Sequence, residues 1–138
     1  MSNKFKLIIR TPEKEVFSSE VESIYVSTDL GDTEIHPNHS SIGAAISYSP
    51  IILNISKDLK IEFIIKRGMF SFSNDKNEAL LMAYSAQKRE EIDFDSAKKY
   101  LKYILEKLES GKYEDAGSFT FKFLEDEKIA LIKEFDLD

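Results

Sequence analysis

The chain has 138 residues, 42% of them hydrophobic and 32% charged, which is the balance of a folded globular protein and excludes a disordered or low-complexity one. A net charge of −6, with lysines interspersed among acids, excludes a nucleic-acid partner, because phosphates are neutralised by clustered Lys and Arg. The absence of Cys excludes disulfides, thiolate metal sites and a cysteine nucleophile.

In chain order, Met1 to Arg10 reads directly as a strand. It has neither the apolar stretch of a signal peptide nor the Arg-rich amphipathic character of a transit peptide. Phe5, Leu7 and Ile9 alternate with Lys4, Lys6 and Arg10, and Ile24 and Val26 alternate with Ser23, Tyr25 and Ser27. The same period of two returns in Ile51, Leu53 and Ile55, in Ile61, Phe63 and Ile65, in Phe70 and Phe72, and in Leu80, Met82 and Tyr84. Between these runs stand Thr11-Pro12-Glu13, Asp29-Leu30-Gly31-Asp32, Ser56-Lys57-Asp58 and Ser73-Asn74-Asp75, all rich in residues that favour turns. Many short strands with short turns predict a sandwich or flattened barrel. No apolar run approaches the roughly 18 to 20 residues that span a bilayer.

Around Gln87 the period changes. Ala97, Tyr100, Leu101, Ile104, Leu105 and Leu108 recur at intervals of three and four, with Lys98, Lys99, Lys102, Glu106 and Lys107 between them. That spacing predicts an amphipathic helix from about Phe94 to Ser110, capped by Asp93 or Asp95 and stopped at Gly111. Further on, Phe119, Phe121 and Phe123 alternate as in a strand, whereas Phe123, Leu124, Ile129, Leu131, Ile132 and Phe135 suit a helix. A second helix is expected, closing an antiparallel hairpin with the first. The fold class is therefore α+β, a β-sandwich domain over residues 1–87 and a helical hairpin domain over 88–138.

Only one segment looks chemically reactive. Asp32, Glu34, His36 and His39 put two carboxylates and two imidazoles close together, and such groups can ligate zinc. Paired His ligands one turn apart need a helix, however, and Pro37 forbids a regular one, so a structural loop is the preferred interpretation. There is no Gly-x-Ser-x-Gly, no phosphate-binding Walker loop and no dinucleotide fingerprint. Acid pairs such as Glu90-Glu91 lie in charged runs typical of solvated faces. No catalytic residue and no metal site is assigned, and the chain reads as a non-enzyme.

Taken as an ordered series, the first half is more specific than its parts. Thr11-Pro12-Glu13, Val16-Phe17, Glu20-Val21-Glu22-Ser23-Ile24, Gly31-Asp32 and Ile35-His36-Pro37-Asn38-His39 follow one another at a spacing that resembles the epsilon subunit of F-type ATP synthases. Lys66-Arg67-Gly68-Met69-Phe70 falls where that family tends to have a Gly-Gly-Phe step. The resemblance implies a flattened antiparallel sandwich of about ten strands followed by a helical hairpin. It also implies a central-stalk subunit, peripheral on the cytoplasmic side of a bacterial membrane. The partners it implies are the gamma subunit, the polar loops of the c ring and, transiently, the catalytic alpha and beta subunits, with membrane contact only through the complex. Gly31, Asp32 and His39 match the family's ring-facing surface, though Gly31 suits equally a positive-φ turn position and Asp32 a solvated turn carboxylate. A stand-alone protein-binding sandwich is the alternative.

The departures from the family pattern carry expectations of their own. His36-Pro37-Asn38-His39-Ser40-Ser41 replaces a Leu-Pro-Asn-His-Ala-Pro loop, and losing a proline is expected to lower its rigidity. Some bacterial members bind ATP through Ile-Asp-x-x-Arg-Ala, and here Ile92, Asp93 and Ala97 are kept while Ser96 stands where the Arg would meet phosphate. ATP is thus at most a weak regulatory ligand, no other cofactor is implied, and a plain helix cap is the competing interpretation. From Glu114 to Asp138, three lysines face eight acids, a net of −5. Inhibition by this hairpin, which in the family uses basic residues against acidic catalytic subunits, is expected to be weak or absent.

Overall fold

The computed structural model describes residues 3–110 and 118–137, the side chains of 118–120 excepted. Seven strands occur among these residues: β1 (Phe5–Arg10), β2 (Glu15–Val21), β3 (Ser23–Thr28), β4 (Gly31–Ile35), β5 (Ile42–Ser56), β6 (Leu59–Ser73) and β7 (Glu78–Lys88). They form one hydrogen-bonded sheet in the order β2-β1-β7-β6-β5-β3-β4. All neighbours are antiparallel except β1 and β7, which run parallel from Lys6↔Glu78 to Arg10↔Met82. The expected short strands Ile61–Ile65 and Phe70–Phe72 are thus one long strand, and the purely antiparallel expectation is corrected at β1.

A single sheet becomes a sandwich because its long strands bend. In β6 the core-facing residues are Phe63 and Ile65 before the bend and Phe70 and Phe72 after it, a switch from odd to even positions. In β5 the switch runs from Ile46 to Ile51 and Leu53. The pairing ladders step over Ser47, Arg67 and Tyr84, which lie side by side across β5, β6 and β7. Arg67 has φ 50°, the left-handed conformation that turns a strand. Beside it Gly68 leaves no room for a side chain, since a Cβ would lie 3.0 Å from the Met82 carbonyl oxygen. β5, β6 and β7 therefore serve both layers, and the difference between seven strands and the expected ten lies in counting their halves separately.

The two layers enclose one apolar core that includes Phe5, Leu7, Ile9, Ile24, Phe63 and Leu81, all essentially inaccessible to solvent. Edge-to-face ring pairs, Phe5 with Phe72 at 5.4 Å and Phe17 with Phe63 at 6.3 Å, knit β1 to β6 and β2 to β6. Burial on this scale contributes about 1.5–3 kcal/mol per large side chain and makes the alternating pattern the main determinant of register.

The chain divides into two compact units, Met1–Glu90 and Glu91–Asp138. In the second, α1 (Phe94–Ser110) packs against α2 (Ser118–Phe135). The expected stop at Gly111 lies outside the described residues, as does the side chain of Phe119, although its backbone belongs to α2. α2 ends in a Schellman turn, in which Asp136 at φ 54° lets the Leu137 N–H reach the Ile132 carbonyl at 3.0 Å.

Candidate functional site

Three groups of residues were singled out by sequence, and the structure gives each a distinct setting. Gly31 and Asp32 belong to the β3–β4 hairpin, whose two-residue turn is Asp29-Leu30. Gly31 sits at φ +114°, beyond the range that L side chains adopt, while a Cβ there would meet nothing within 4 Å. Backbone conformation rather than space demands glycine, and another residue would be strained by about 1–3 kcal/mol. The Thr28 hydroxyl donates to the Gly31 carbonyl at 3.2 Å and accepts the Leu30 N–H at 3.1 Å, and the Thr33 hydroxyl donates to the same carbonyl at 3.3 Å. Asp29 accepts the Ala45 N–H at 2.9 Å and donates its own N–H to the Ala45 carbonyl at 2.8 Å, which pins the hairpin to β5.

Asp32 is placed on β4 opposite Ser27, half-buried and with its Oδ2 shielded from solvent, so the solvated turn carboxylate gives way to a strand residue. The tip itself carries Leu30, 65% exposed between Asp29 and Gly31. Sequence reasoning passed over Leu30, although an apolar residue at the centre of a polar turn was the available signal.

His39 belongs to the loop between β4 and β5. Pro37 and Asn38 form its turn, closed by the His39 N–H to the His36 carbonyl at 3.2 Å, with Asn38 at φ 65°. The His39 ring lies edge-on to Phe72 at 5.9 Å, and its Nδ1 is 2.7 Å from the Ser40 carbonyl oxygen, so that nitrogen carries the proton in this contact. His36 instead points to Glu34 at 3.2 Å in an exposed pair that contributes little stability. The two imidazoles are thus engaged with different neighbours, and no group of three potential ligands for a metal forms among the described residues.

The loop is cross-linked to a neighbouring turn. Asn38 donates its N–H to Asn77 Oδ1 at 2.6 Å, and Asn74 Nδ2 donates to the Asn38 and His39 carbonyls at 3.0 and 3.1 Å. Ser41 accepts the Asn74 N–H on its hydroxyl at 2.9 Å. Each of these bonds from the β6–β7 turn restrains the loop backbone.

Ile92, Asp93 and Ala97 form the start of α1. Asp93 Oδ1 accepts the Ser96 N–H at 2.8 Å, the geometry of an N-cap that contributes about 1 kcal/mol. The Asp93 carbonyl accepts the Ala97 N–H at 2.9 Å, while Ile92 and Ala97 are buried. All three are engaged in beginning the helix. Lys98 lies 5.3 Å over the Phe94 ring one turn further on.

With this geometry in hand, comparison with known proteins gives a consistent result. The sequence model of the family described as ATP synthase, Delta/Epsilon chain, beta-sandwich domain matches residues 4–87. The chain is 34% identical over 109 residues to the ATP synthase epsilon chain of Thermodesulfovibrio yellowstonii, covering 78% of this chain and 75% of the relative. It is 38% identical over 108 residues to that of Mycoplasma mobile, covering 77% and 74%. Among solved structures, a chain of the Euglena gracilis mitochondrial ATP synthase (OSCP/F1/c-ring, rotational state 1) shares the fold. Its TM-score is 0.64 at 14% identity, with 99% of this chain and 80% of that one covered. Shared sequence across the strands that build the sandwich, and across most of both chains, means that this protein belongs to the ATP synthase epsilon chain family.

Proposed function

We propose that this chain is the central-stalk, rotor subunit of an F-type ATP synthase, coupling c-ring rotation driven by proton or sodium flow to ATP synthesis. The observation that carries this is the family match through the whole sandwich, with relatives aligned over about three quarters of both chains. The 109-residue alignment is longer than the sandwich unit, which disfavours a sandwich that has kept the fold and lost the complex. Such a role needs a stiff body and shaped surfaces, and no reacting group.

In this proposal the sandwich, residues 1–87, binds the gamma shaft and stands on the polar loops of the c ring. The β3–β4 tip, with Gly31, Asp32 and the exposed Leu30, and the His39 loop form the ring-facing surface. Carboxylates opposite basic ring loops contribute orientation more than affinity. The hairpin, residues 88–138, meets the catalytic alpha and beta subunits transiently and inhibits them weakly or not at all. ATP is at most a weak ligand at Ile92, Asp93 and Ala97, whose capping and burial leave few groups for phosphate. No helix among the described residues is long and apolar enough to cross a membrane, which accords with a subunit that is peripheral on the cytoplasmic face.

Affinity purification of the tagged chain from its native cells tests the proposal. Gamma and the catalytic subunits are expected to co-purify in fixed ratio. Their absence from a preparation whose cells contain them would overturn it.

A further inference from the structure

We infer that Asn77, assisted by Asn74, is the positioning residue that sets the geometry of the His39 loop and so the orientation of the ring-facing surface; this rests on the rotor reading above. Asn77 joins three segments that are distant in sequence. Its Oδ1 accepts the Asn38 N–H at 2.6 Å, its Nδ2 donates to the Lys4 carbonyl at 2.9 Å, and its own carbonyl accepts the Lys6 N–H at 3.4 Å. The amide orientation is fixed by chemistry, because a backbone N–H can only donate and a backbone carbonyl can only accept.

Few residues could replace it. Asp would keep the acceptor and lose the donor, Gly would keep the backbone and lose both, and Gln would place the amide one methylene too far. Asn77 also sits at φ 50°, a conformation that Asn tolerates better than most side chains. Asn74 completes the clamp by donating its side-chain amide to two loop carbonyls and its N–H to Ser41. Since the loop has no ladder bonds of its own, its position depends on these cross-links, and they end beside His39, whose ring rests on Phe72. The loop that would touch the ring is thereby indexed to β1 and to the β6–β7 turn.

The test uses the full chain assembled into the complete complex and reconstituted in vesicles, reading ions pumped per ATP hydrolysed, together with hydrogen exchange at the Asn38 amide. Asn77→Gly keeps the turn and removes both side-chain bonds. It is expected to speed Asn38 exchange about tenfold, in line with one lost hydrogen bond, and to lower pumping per ATP at least twofold, while gamma binding changes less than about twofold. Asn77→Asp, which keeps the acceptor for Asn38 and loses the donor to Lys4, is expected to retain Asn38 protection and to lower pumping less than Asn77→Gly does. If Asn77→Gly does not fold, Asn74→Ala, at an ordinary φ, removes the bonds to the Asn38 and His39 carbonyls and tests the same clamp through the pumping readout, with the same expected loss. Normal pumping despite fast exchange, or equal losses in the Gly and Asp variants, would overturn the inference. Asp32→Lys and His39→Ala separate the two levels. If they lower pumping and Asn77→Gly does not, positioning alone is wrong; if they leave pumping intact, the ring-facing surface is misassigned and the inference falls with it.

Discussion

The sandwich and the hairpin are built on different economies of burial. In the sandwich, every long strand contributes side chains to one core, and most of these are fully inaccessible. In α2, Leu124 and Leu131 are the buried apolar residues among the described side chains, while Phe121 and Ile129 are exposed. A region with many non-local pairings opens only with global unfolding, whereas a helix held by few buried contacts opens locally at lower cost. The fold therefore places the larger buried core in the part proposed to carry torque, and few buried contacts in α2.

The contrast can be broken most directly in the core. Phe63→Ala is expected to destabilise the sandwich by about 3–5 kcal/mol, measured by denaturant unfolding with the secondary structure of both regions followed together. Leu131→Ala should cost about 2–4 kcal/mol but act locally, raising hydrogen exchange in α2 while leaving β1 and β6 amides protected. Equal acceleration in the strands would mean that the two regions form one cooperative unit. Arg67→Gly should raise the melting temperature slightly, by about 0.5–1 kcal/mol of stability, because glycine adopts φ 50° without the clash that Arg pays there. Removing residues after Gln87 should change ATP hydrolysis by the reconstituted complex less than about twofold, given the acidic tail; a large rise would show that the hairpin is a brake.

How much of this was legible in the sequence depended on whether the signal was local. The helix from Phe94 to Ser110 and its Asp93 cap follow from one residue-spacing rule and one side-chain preference, and the structure has both. The strand containing Phe5–Ile9 was equally plain, because it alternates against a single core. Ile51–Ile55 was placed in a strand, but Ile51, Ile52 and Leu53 are all buried, and the Leu80–Tyr84 strand has its faces reversed: Ala79, Leu81 and Ala83 are buried while Met82 and Tyr84 are exposed. β4 was hidden, since Gly31 and Asp32 look like turn residues and only Ile35 is fully buried. The continuity of β5 and β6 was hidden for another reason. A bend switches which alternate residues face inward, so an unbroken strand presents two patterns out of phase.

The candidate surface was legible only in outline. Gly31 announced its backbone conformation, and His39 could be placed by resemblance. Nothing in the local pattern linked Asn38 to Asn77, which is 39 residues away, or Asn77 to Lys4, which is 73 away. Polar cross-links between distant loops leave no periodicity behind, and they are what hold the His39 loop.

The crease through Ser47, Arg67 and Tyr84 has a mechanical consequence. In a sandwich of two separate sheets, a sideways force on one layer reaches the other through side-chain contacts, which slide. Here three continuous peptide backbones run over the fold from one layer into the other. Displacing the layers would require stretching covalent chain or shearing ladder bonds at the crease, so the body behaves less like two plates pressed together than like one sheet of metal bent double.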